Sequence, residues 1–287
     1  MTSIESTAAR LNLHRAGREW RGSCPACGYG SDAFTLSAGR SGRLMGWCAS
    51  CRDQTAIRAA LGAAGAGERI DRTDAARAAS EAAEDRAKKQ QQAISLWDSG
   101  EVLTGDCPAS KYLRSRCLES AIGNLALRYR ADTRHPVSGR HPALLCRIDD
   151  VAGNQVGVHR IFVTTDGYKA NVTPPKAAKG TVWSGAIRFG TGPEIVVAEG
   201  AETALAAGLI LGLPAWSAIS AGNLQKGLAL PPEVQSVAIA ADHDKPGIDA
   251  AQDAARRWRR EGRTVRLVLP DGEGRDFADL LRVGEVA

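Results

Sequence analysis

The stretch Ser236-Val-Ala-Ile-Ala-Ala-Asp242-His-Asp244 is an apolar β-type run that ends on two carboxylates, and Ile195-Val-Val-Ala-Glu199-Gly200 repeats the pattern with one. Open α/β sheets gather their ligands at the carboxyl ends of strands, so both runs deliver acids to one edge. Residues two apart on an extended chain project to the same side, which places Asp242 and Asp244 to share one hard cation. Lys245-Pro-Gly247 then supplies a turn before a helix from Ile248, and a third acidic segment, Arg275-Asp276-Phe-Ala-Asp279, follows the last expected strand. A single Asp at a strand end is more often a turn former or a helix cap. Three acidic segments at one edge are different, because like charges brought together cost free energy unless metal neutralises them.

Outward from these runs, the order after Pro193 is strand 194–198, helix 202–211, strands 215–219 and 234–240, helix 248–261 and strand 263–269. Alternation of this kind predicts an α/β domain with a mostly parallel sheet. Between about 107 and 190, short β-type runs at 143–148, 155–164 and 181–189 predict a small, mainly antiparallel lobe. Residues 62–73 open with Gly62-Ala-Ala-Gly-Ala-Gly67, the chemistry of a flexible linker. A helix is expected over 73–97, built from Ala, Glu, Lys, Arg and Gln. Its apolar positions are mostly alanine until Ile94, Leu96 and Trp97, so only its C-terminal end is expected to be anchored and the rest to act as a semi-rigid spacer. The expected organisation is a multidomain α/β protein: an N-terminal cysteine-bearing ribbon (1–61), a helical linker (62–106), a basic β-rich lobe (107–190) and a C-terminal α/β domain (191–287).

Cys24-Pro-Ala-Cys27 and Cys48-Ala-Ser-Cys51 give the spacing C-x2-C-x20-C-x2-C. Each pair can chelate one face of a tetrahedral ion, with a hairpin between them. Four thiolates fill every position, so the zinc expected here is structural rather than catalytic. Phe34, Leu36, Leu44 and Trp47 are expected to pack around it, with Gly28 and Gly30 turning the chain back towards the metal. The other three of the seven cysteines read as buried thiols. Arg15, Arg18, Arg21, Arg40, Arg43 and Arg52 surround the motif, and an exposed Trp20, Tyr29 or Trp47 suits stacking on a base of single-stranded DNA.

The formal net charge of +5 over 287 residues hides a polarity: +4 over 1–60, +5 over 61–190 and −4 over 191–287. That distribution suits a chain in which one part holds a polyanion while another gathers carboxylates around divalent metal. No apolar run approaches the roughly 18 residues of a membrane span and no signal-peptide core is present, so a cytoplasmic protein without membrane contact is expected. Residues 101–190 carry 13 Lys/Arg against 7 Asp/Glu. Arg147, His159, Arg160, Lys169, Lys176, Lys179 and Arg188 fall on or beside expected strands and predict a basic groove, facing the acids, for the phosphates of a polyanion. His159 and Arg160 are the first choices, because a strand fixes their depth. Lys176 and Lys179, in Pro174-Pro-Lys-Ala-Ala-Lys-Gly180, also fit a solvated loop.

A Glu-Gly strand end, an Asp-x-Asp strand end with a glycine turn and a later basic-Asp…Asp segment together resemble the Toprim domain, shared by bacterial-type primases, topoisomerases and some nucleases. The zinc ribbon ahead of a basic β-rich lobe is similar to the order in phage, plasmid and bacterial DNA primases. Pro108-Ala-Ser-Lys-Tyr-Leu-Arg-Ser-Arg-Cys117-Leu, His141-Pro-Ala-Leu-Leu and Gly157-Val-His-Arg160 resemble segments of the Toprim primase/helicase proteins of mobile elements. The resemblance implies primer synthesis on single-stranded DNA from NTPs. It implies Glu199 as general acid/base near the attacking 3′-hydroxyl, and Mg²⁺ or Mn²⁺ held by Asp242 and Asp244 with Glu199. Asp276 and Asp279 match the third acidic motif, which organises metal or triphosphate, with the basic Arg275 and Lys245 beside the acids as phosphate contacts.

Three positions depart from the pattern. Cys27 stands where primase zinc sites often carry His. Thr203 stands where many primases carry an Asp, with Glu202 just before it as a candidate catalytic carboxylate. Arg275 replaces a Lys and offers a forked contact to phosphate. No G-x-x-x-x-G-K-[ST] is present, so any helicase is expected to act in trans. Tyr29, Tyr112, Tyr129 and Tyr168 all precede the acidic segments and carry no motif of a topoisomerase nucleophile. A Toprim nuclease and a catalytically silent DNA-binding or replication-accessory module are the rival readings.

Overall fold

Alternation along one short strand explains how the N-terminal cysteines come together. In the computed structural model, which describes residues 3–17, 19–28, 30, 32–39, 44–51, 53–63 and 72–283, β4 (Leu44–Cys48) turns Leu44, Gly46 and Cys48 inward and Met45 and Trp47 outward. It pairs antiparallel with β3 (Phe34–Ala38), which pairs with β2 (Glu19–Gly22), and β2 with β1 (His14–Ala16), in the order β1-β2-β3-β4. Helices α1 (Ser3–Arg10) and α2 (Gln54–Ala63) flank this sheet. The core comprises Ala8, Leu13, Cys24, Phe34, Leu36, Cys48, Ile57 and Leu61. Gly46 is obligatory here, since a Cβ would lie 2.7 Å from Phe34 Cζ and 2.9 Å from Ile57 Cγ2. Trp47, expected in this core, is instead half exposed, because strand period turns it away from Gly46 and Cys48.

The chain divides into two compact units, residues 1–85 and 86–287, and helix α3 (Arg72–Asp98) contributes to both. Within the second unit, its C-terminal end is anchored as its composition predicts. Ala93 and Trp97 are buried with Ala143, Leu145, Val158, Phe162 and Ala170.

Ala143, Leu145, Val158 and Phe162 belong to one face of an antiparallel sheet of order β5-β6-β7-β8-β9: β5 (Glu101–Val102), β6 (Leu127–Arg134), β7 (Arg140–Asp149), β8 (Gln155–Phe162) and β9 (Lys176–Gly180). A helix α4 (Pro108–Arg114) starts on a proline at its first turn, where the missing N–H costs nothing. The expected strand over 181–189 lies elsewhere: the extended segment is β9, and Ser184 at φ 66 breaks the chain before the two-residue β10 (Ile187–Arg188). β10 joins the second sheet.

That sheet has the order β10-β12-β11-β13-β14, with β11 (Glu194–Ala198), β12 (Ala215–Ser217), β13 (Ser236–Ala240) and β14 (Thr264–Val268) parallel and β10 antiparallel at the edge. Helices α5 (Ala201–Leu211) and α7 (Phe277–Val283) pack on one face and α6 (Lys245–Arg260) on the other. The α6 face buries Ala250, Ala251, Ala254, Ala255 and Trp258 against Val237 and Ile239. The α5 face shares one apolar core with the antiparallel sheet, through Leu144, Cys146, Ile148 and Ile161 against Val196, Ala198, Ala204 and Phe277. Among the described residues no helix is long and apolar enough to cross a membrane.

Candidate active site

The four cysteine sulfurs all lie within 4.8 Å of one another. Cys24 Sγ is 3.9 Å from Cys51 Sγ, and Cys27 Sγ is 3.9 Å from Cys48 Sγ. A tetrahedron with Zn–S bonds of about 2.3 Å has edges of about 3.8 Å, so the donor set fits zinc in charge, chemistry and spacing. Gly28, at φ +68, donates its N–H to Cys24 O at 2.8 Å and closes the first turn. Burial raises the Cys48 thiol, but backbone N–H groups of Cys51 and Ser50 outweigh it and bring the pKa down to about 7. Of the other cysteines, expected to be buried, only Cys146 is; Cys107 is half-buried, and Cys117 is exposed at a turn with φ 56. Arg15 and Arg21 are exposed and Trp20 is half-buried against the core. Arg18, Tyr29, Arg40, Arg43 and Arg52 lie outside the described residues.

In the second unit, β11 and β13 run side by side in parallel register, Ala198 opposite Ala240, so Glu199 and Asp242 leave adjacent strands at the same end of the sheet. Asp242 is held well above the ordinary carboxylate range, at about 6. Burial is the main cause, followed by the charges of Asp276, Glu199 and Asp244, and Lys176 offsets part of it. Glu199 is raised too, by burial and by Asp244, against an N–H from Ala221 and the Lys176 charge. Asp242 Oδ1 is buried and, among the described residues, has no hydrogen-bond partner. An orphaned carboxylate oxygen beside like charges fits a cation. Among the described residues the carboxylates do not form a group of three with ligand atoms within 4.8 Å, as the cysteines do. Magnesium, which keeps several waters and needs only one or two carboxylates, is suited to such a spacing.

The remaining acids have local duties. Asp244 is exposed and caps α6, its Oδ1 accepting from Gly247 N at 2.7 Å. Asp276 Oδ1 accepts from Asp279 N at 2.9 Å, and Asp279 Oδ2 accepts from Asp276 N at 3.0 Å, a reciprocal cap on α7. Thr203 Oγ1 donates to Asp276 Oδ2 at 3.3 Å. The residue that departs from the primase pattern therefore touches the third acidic motif and adds no charge to it.

Glu202, expected among the catalytic carboxylates, is placed outside this group. A helix turns about 100° per residue, so with Thr203 facing Asp276 its neighbour points elsewhere. Glu202 is buried, with Tyr112 Oη donating to Oε1 and Lys176 Nζ to Oε2, both at 2.8 Å. Burial alone would raise its pKa, but Lys176 and Tyr112 reverse that and bring it to about 2.

The single basic groove of the sequence reading divides between two faces. Partners in adjacent strands share a face, and successive residues alternate. His159 and Lys176 lie on the face towards the parallel sheet: Lys176 pairs with Ile161 of the shared core and its charge reaches Glu199, Asp242 and His159. Burial, and then Lys176, depress His159 to about 4, so its ring is neutral at pH 7. Arg160 and Lys179 lie on the opposite face, Lys179 opposite Val158 of the cluster under α3. Arg147 is tied to Asp149 in the β7–β8 hairpin at 2.6 Å, Lys169 is exposed on the loop after β8, and Arg188 stacks on Trp216 at 4.2 Å. Lys245 pairs with Asp249 at 3.0 Å on the outside of α6, and Arg275 Nη1 donates to Asp271 O at 3.3 Å.

Sequence reasoning missed Tyr112 as the partner of Glu202. Lys111-Tyr-Leu-Arg114 sits in a segment read for its resemblance, and a tyrosine on the buried side of an amphipathic turn was the available signal. Strand β6, 127–134, was also missed, although Leu127, Tyr129 and Thr133 face inward there.

Residues 194–285 match the family model described as a Toprim domain, and residues 87–189 match DUF7146, a domain of unknown function. No curated protein matches the sequence. Among solved structures, a DnaG primase catalytic domain bound to ssDNA is similar at 16% identity, over 70% of this chain and 78% of that one, with a TM-score of 0.48. The zinc-binding and RNA polymerase domains of the Aquifex aeolicus primase align over 99% of this chain and 82% of that one, at 14% identity and a TM-score of 0.47. The RNA polymerase domain of Mycobacterium tuberculosis primase DnaG covers 68% and 79% at 16% identity, with a TM-score of 0.45. The C-terminal part of the chain is a Toprim domain. More particularly, it is a Toprim domain preceded by a β-rich lobe and by a four-cysteine ribbon with the spacing that zinc takes.

Proposed function

We propose that this chain is a DNA primase, joining NTPs into short RNA primers on a single-stranded DNA template. The observation that carries the reading is Asp242: a buried, unpartnered carboxylate oxygen, raised to about pKa 6 among Glu199, Asp244 and Asp276 at the strand ends of a Toprim domain. Asp242 and Asp244, with Glu199, are the residues that would hold Mg²⁺ or Mn²⁺. A metal there stabilises the charge on the attacking and leaving oxygens of phosphoryl transfer.

The protein groups do the rest. Glu199, with its pKa raised, is suited to accept a proton from a 3′-hydroxyl. Lys176 supplies positive charge beside the acids and places the start of α5 by holding Glu202. Thr203 orients Asp276. The cysteine ribbon would bind structural zinc and present Trp47 to single-stranded DNA. Any helicase would act in trans.

The test is synthesis from labelled NTPs on mixed-sequence single-stranded DNA with Mg²⁺ or Mn²⁺. Oligonucleotides made by the wild type and lost in Asp242→Asn establish a primase, and Cys48→Ala reports whether the ribbon is needed. Metal-dependent cleavage of DNA without synthesis would replace this reading by a Toprim nuclease. Neither activity, with single-stranded DNA still bound, would replace it by a silent accessory module.

A further inference from the structure

The face of the antiparallel sheet that carries Arg160 and Lys179 has a recess of its own. It is about 580 Å³ in volume and is lined by Lys89, Gln92 and Leu96 of α3, Arg134 at the end of β6, and Arg160 and Lys179 of β8 and β9. It continues into a second recess of about 750 Å³, with which it shares Gln92, Leu96, Arg134 and Lys179, and which adds Lys88, Arg130 and Arg140. Both lie wholly within the second unit.

Arg134, Arg160 and Lys179 converge here, and among the described residues none of the three has an acidic partner. Arg160 is only 8% exposed. Its guanidinium is fixed by three carbonyl oxygens, those of Ala177 at 3.2 Å, Arg134 at 2.8 Å and Ala178 at 3.2 Å, and carbonyls leave its charge unbalanced. Burial depresses Lys179, and the charges of Arg160 and Arg134 depress it further, which reports positive charge crowded at one place. Among the described residues no carboxylate lies within ion-pair distance of Arg134, Arg160 or Lys179. Asp132, on the rim of the second recess, is committed to Arg140 at 2.5 Å. His135 is committed to the backbone: its Nδ1 accepts from the Val137 and Ser138 N–H groups, and its Nε2 lies 2.9 Å from Pro174 O. Like charges held together in a folded protein without partners mark a site for an anion.

We propose that this recess is a polyphosphate site, separate from the acidic group, that takes the di- or triphosphate end of a nucleotide. Arg160 sits low in the recess, and a phosphate in the middle of a strand carries a sugar on each side, so it lies along a surface. A terminal polyphosphate has a free end that reaches inward and carries several negative charges to match the three cations. The volume is that of a small-ligand pocket, and the Gln92 amide on the rim can meet a sugar or a base. The same chemistry belongs to a free nucleoside triphosphate and to the 5′-triphosphate end of a short RNA.

The test is calorimetric titration of the full, zinc-loaded chain without added Mg²⁺ or Mn²⁺, with tripolyphosphate, ATP, a 5′-triphosphorylated dinucleotide and oligo(dT) lacking a terminal phosphate. The absence of added divalent cation and an Asp242→Asn background silence the acidic site, so the result is independent of primer synthesis. Tripolyphosphate and ATP are expected to bind wild type and Asp242→Asn alike, and about tenfold or more weaker in Arg134→Gln/Lys179→Gln, a pair of substitutions that leaves the Arg160 carbonyl contacts in place. Tighter binding of the dinucleotide than of ATP assigns the site to an RNA 5′ end, and the reverse order assigns it to a free nucleotide. Either order supports the proposal. No binding, or binding unchanged in a double variant that melts like wild type, overturns it. Displacement of ATP by oligo(dT) at equal affinity also overturns it, in favour of a track for the strand.

Discussion

Lys176 on β9 donates to Glu202 at the start of α5 across 2.8 Å, and this ion pair ties the antiparallel sheet to the parallel one beneath the acidic group. Breaking a buried pair typically costs about 3–5 kcal/mol, because the remaining charge keeps its desolvation penalty. The Lys176 side chain is 32% exposed, so solvent relieves part of that. Glu202→Gln is expected to destabilise the protein by about 2 kcal/mol, lowering Tm by about 5 °C in a thermal melt at pH 7. The pH dependence has a definite sign. Glu202 is depressed to about 2 from an ordinary 4.5, so its contribution is fully present above pH 4.5 and is lost as pH falls towards 2. Glu202→Gln is expected to flatten the acid limb of stability over that window.

Asp242 is expected to act in the opposite sense. Its folded pKa of about 6 lies above the ordinary value of 3.8, so the folded state holds the extra proton between those limits and its stability falls as pH rises through them. Asp242→Asn removes a repelled charge and is expected to stabilise the metal-free protein at pH 7 by about 1 kcal/mol, discounted because the group is partly solvated. The gain should vanish below pH 4. Added Mg²⁺ should raise the wild-type Tm and leave the variant unmoved. A variant less stable than wild type without added Mg²⁺ would mean that the site is not strained by like charges.

What was legible followed from local rules. Alternation and strand-end carboxylates placed Glu199 and Asp242 at strand ends on one edge of a mostly parallel sheet, and cysteine spacing placed four sulfurs together; that the two strands are neighbours came from the pairing. What was not legible needed pairing and register. Whether Lys176 faces the acids or the far side depends on which residue of β8 it opposes, and a shift of one position would exchange it with Ala177. His159 and Arg160, adjacent in sequence, were grouped in one groove, and the strand separates them by its own period. Glu202 was likewise grouped with the catalytic acids because it adjoins Thr203, and a helix sends the two in different directions.

The ribbon should depend on metal for its fold. Its core holds few large apolar side chains, led by Phe34, Leu36, Ile57 and Leu61, which is small for independent stability. The wild type is expected to carry one zinc per chain by elemental analysis and to release it to a strong chelator. Release should remove the hydrogen-exchange protection of β3 and β4 while leaving that of β7, β8, β11 and β13. Cys48→Ala should purify without stoichiometric zinc. Full exchange protection of β3 and β4 in zinc-free protein would show that the thiols hold the ribbon unaided.

Asp279 can be separated from the acids that would meet metal, because its Oδ2 already accepts the Asp276 N–H at 3.0 Å and so helps to cap α7. An amide oxygen accepts the same hydrogen bond, whereas alanine leaves that N–H unmet. Asp279→Asn is therefore expected to melt like wild type, and Asp279→Ala to lose about 1 kcal/mol, the usual cost of a helix cap. Since Asn keeps the geometry and removes the charge, primer synthesis by Asp279→Asn measures the charge alone. With one oxygen spent on the backbone, that loss should be small beside the loss in Asp242→Asn. Equal losses in the two variants would place Asp279 among the metal-binding acids, with capping as its second duty.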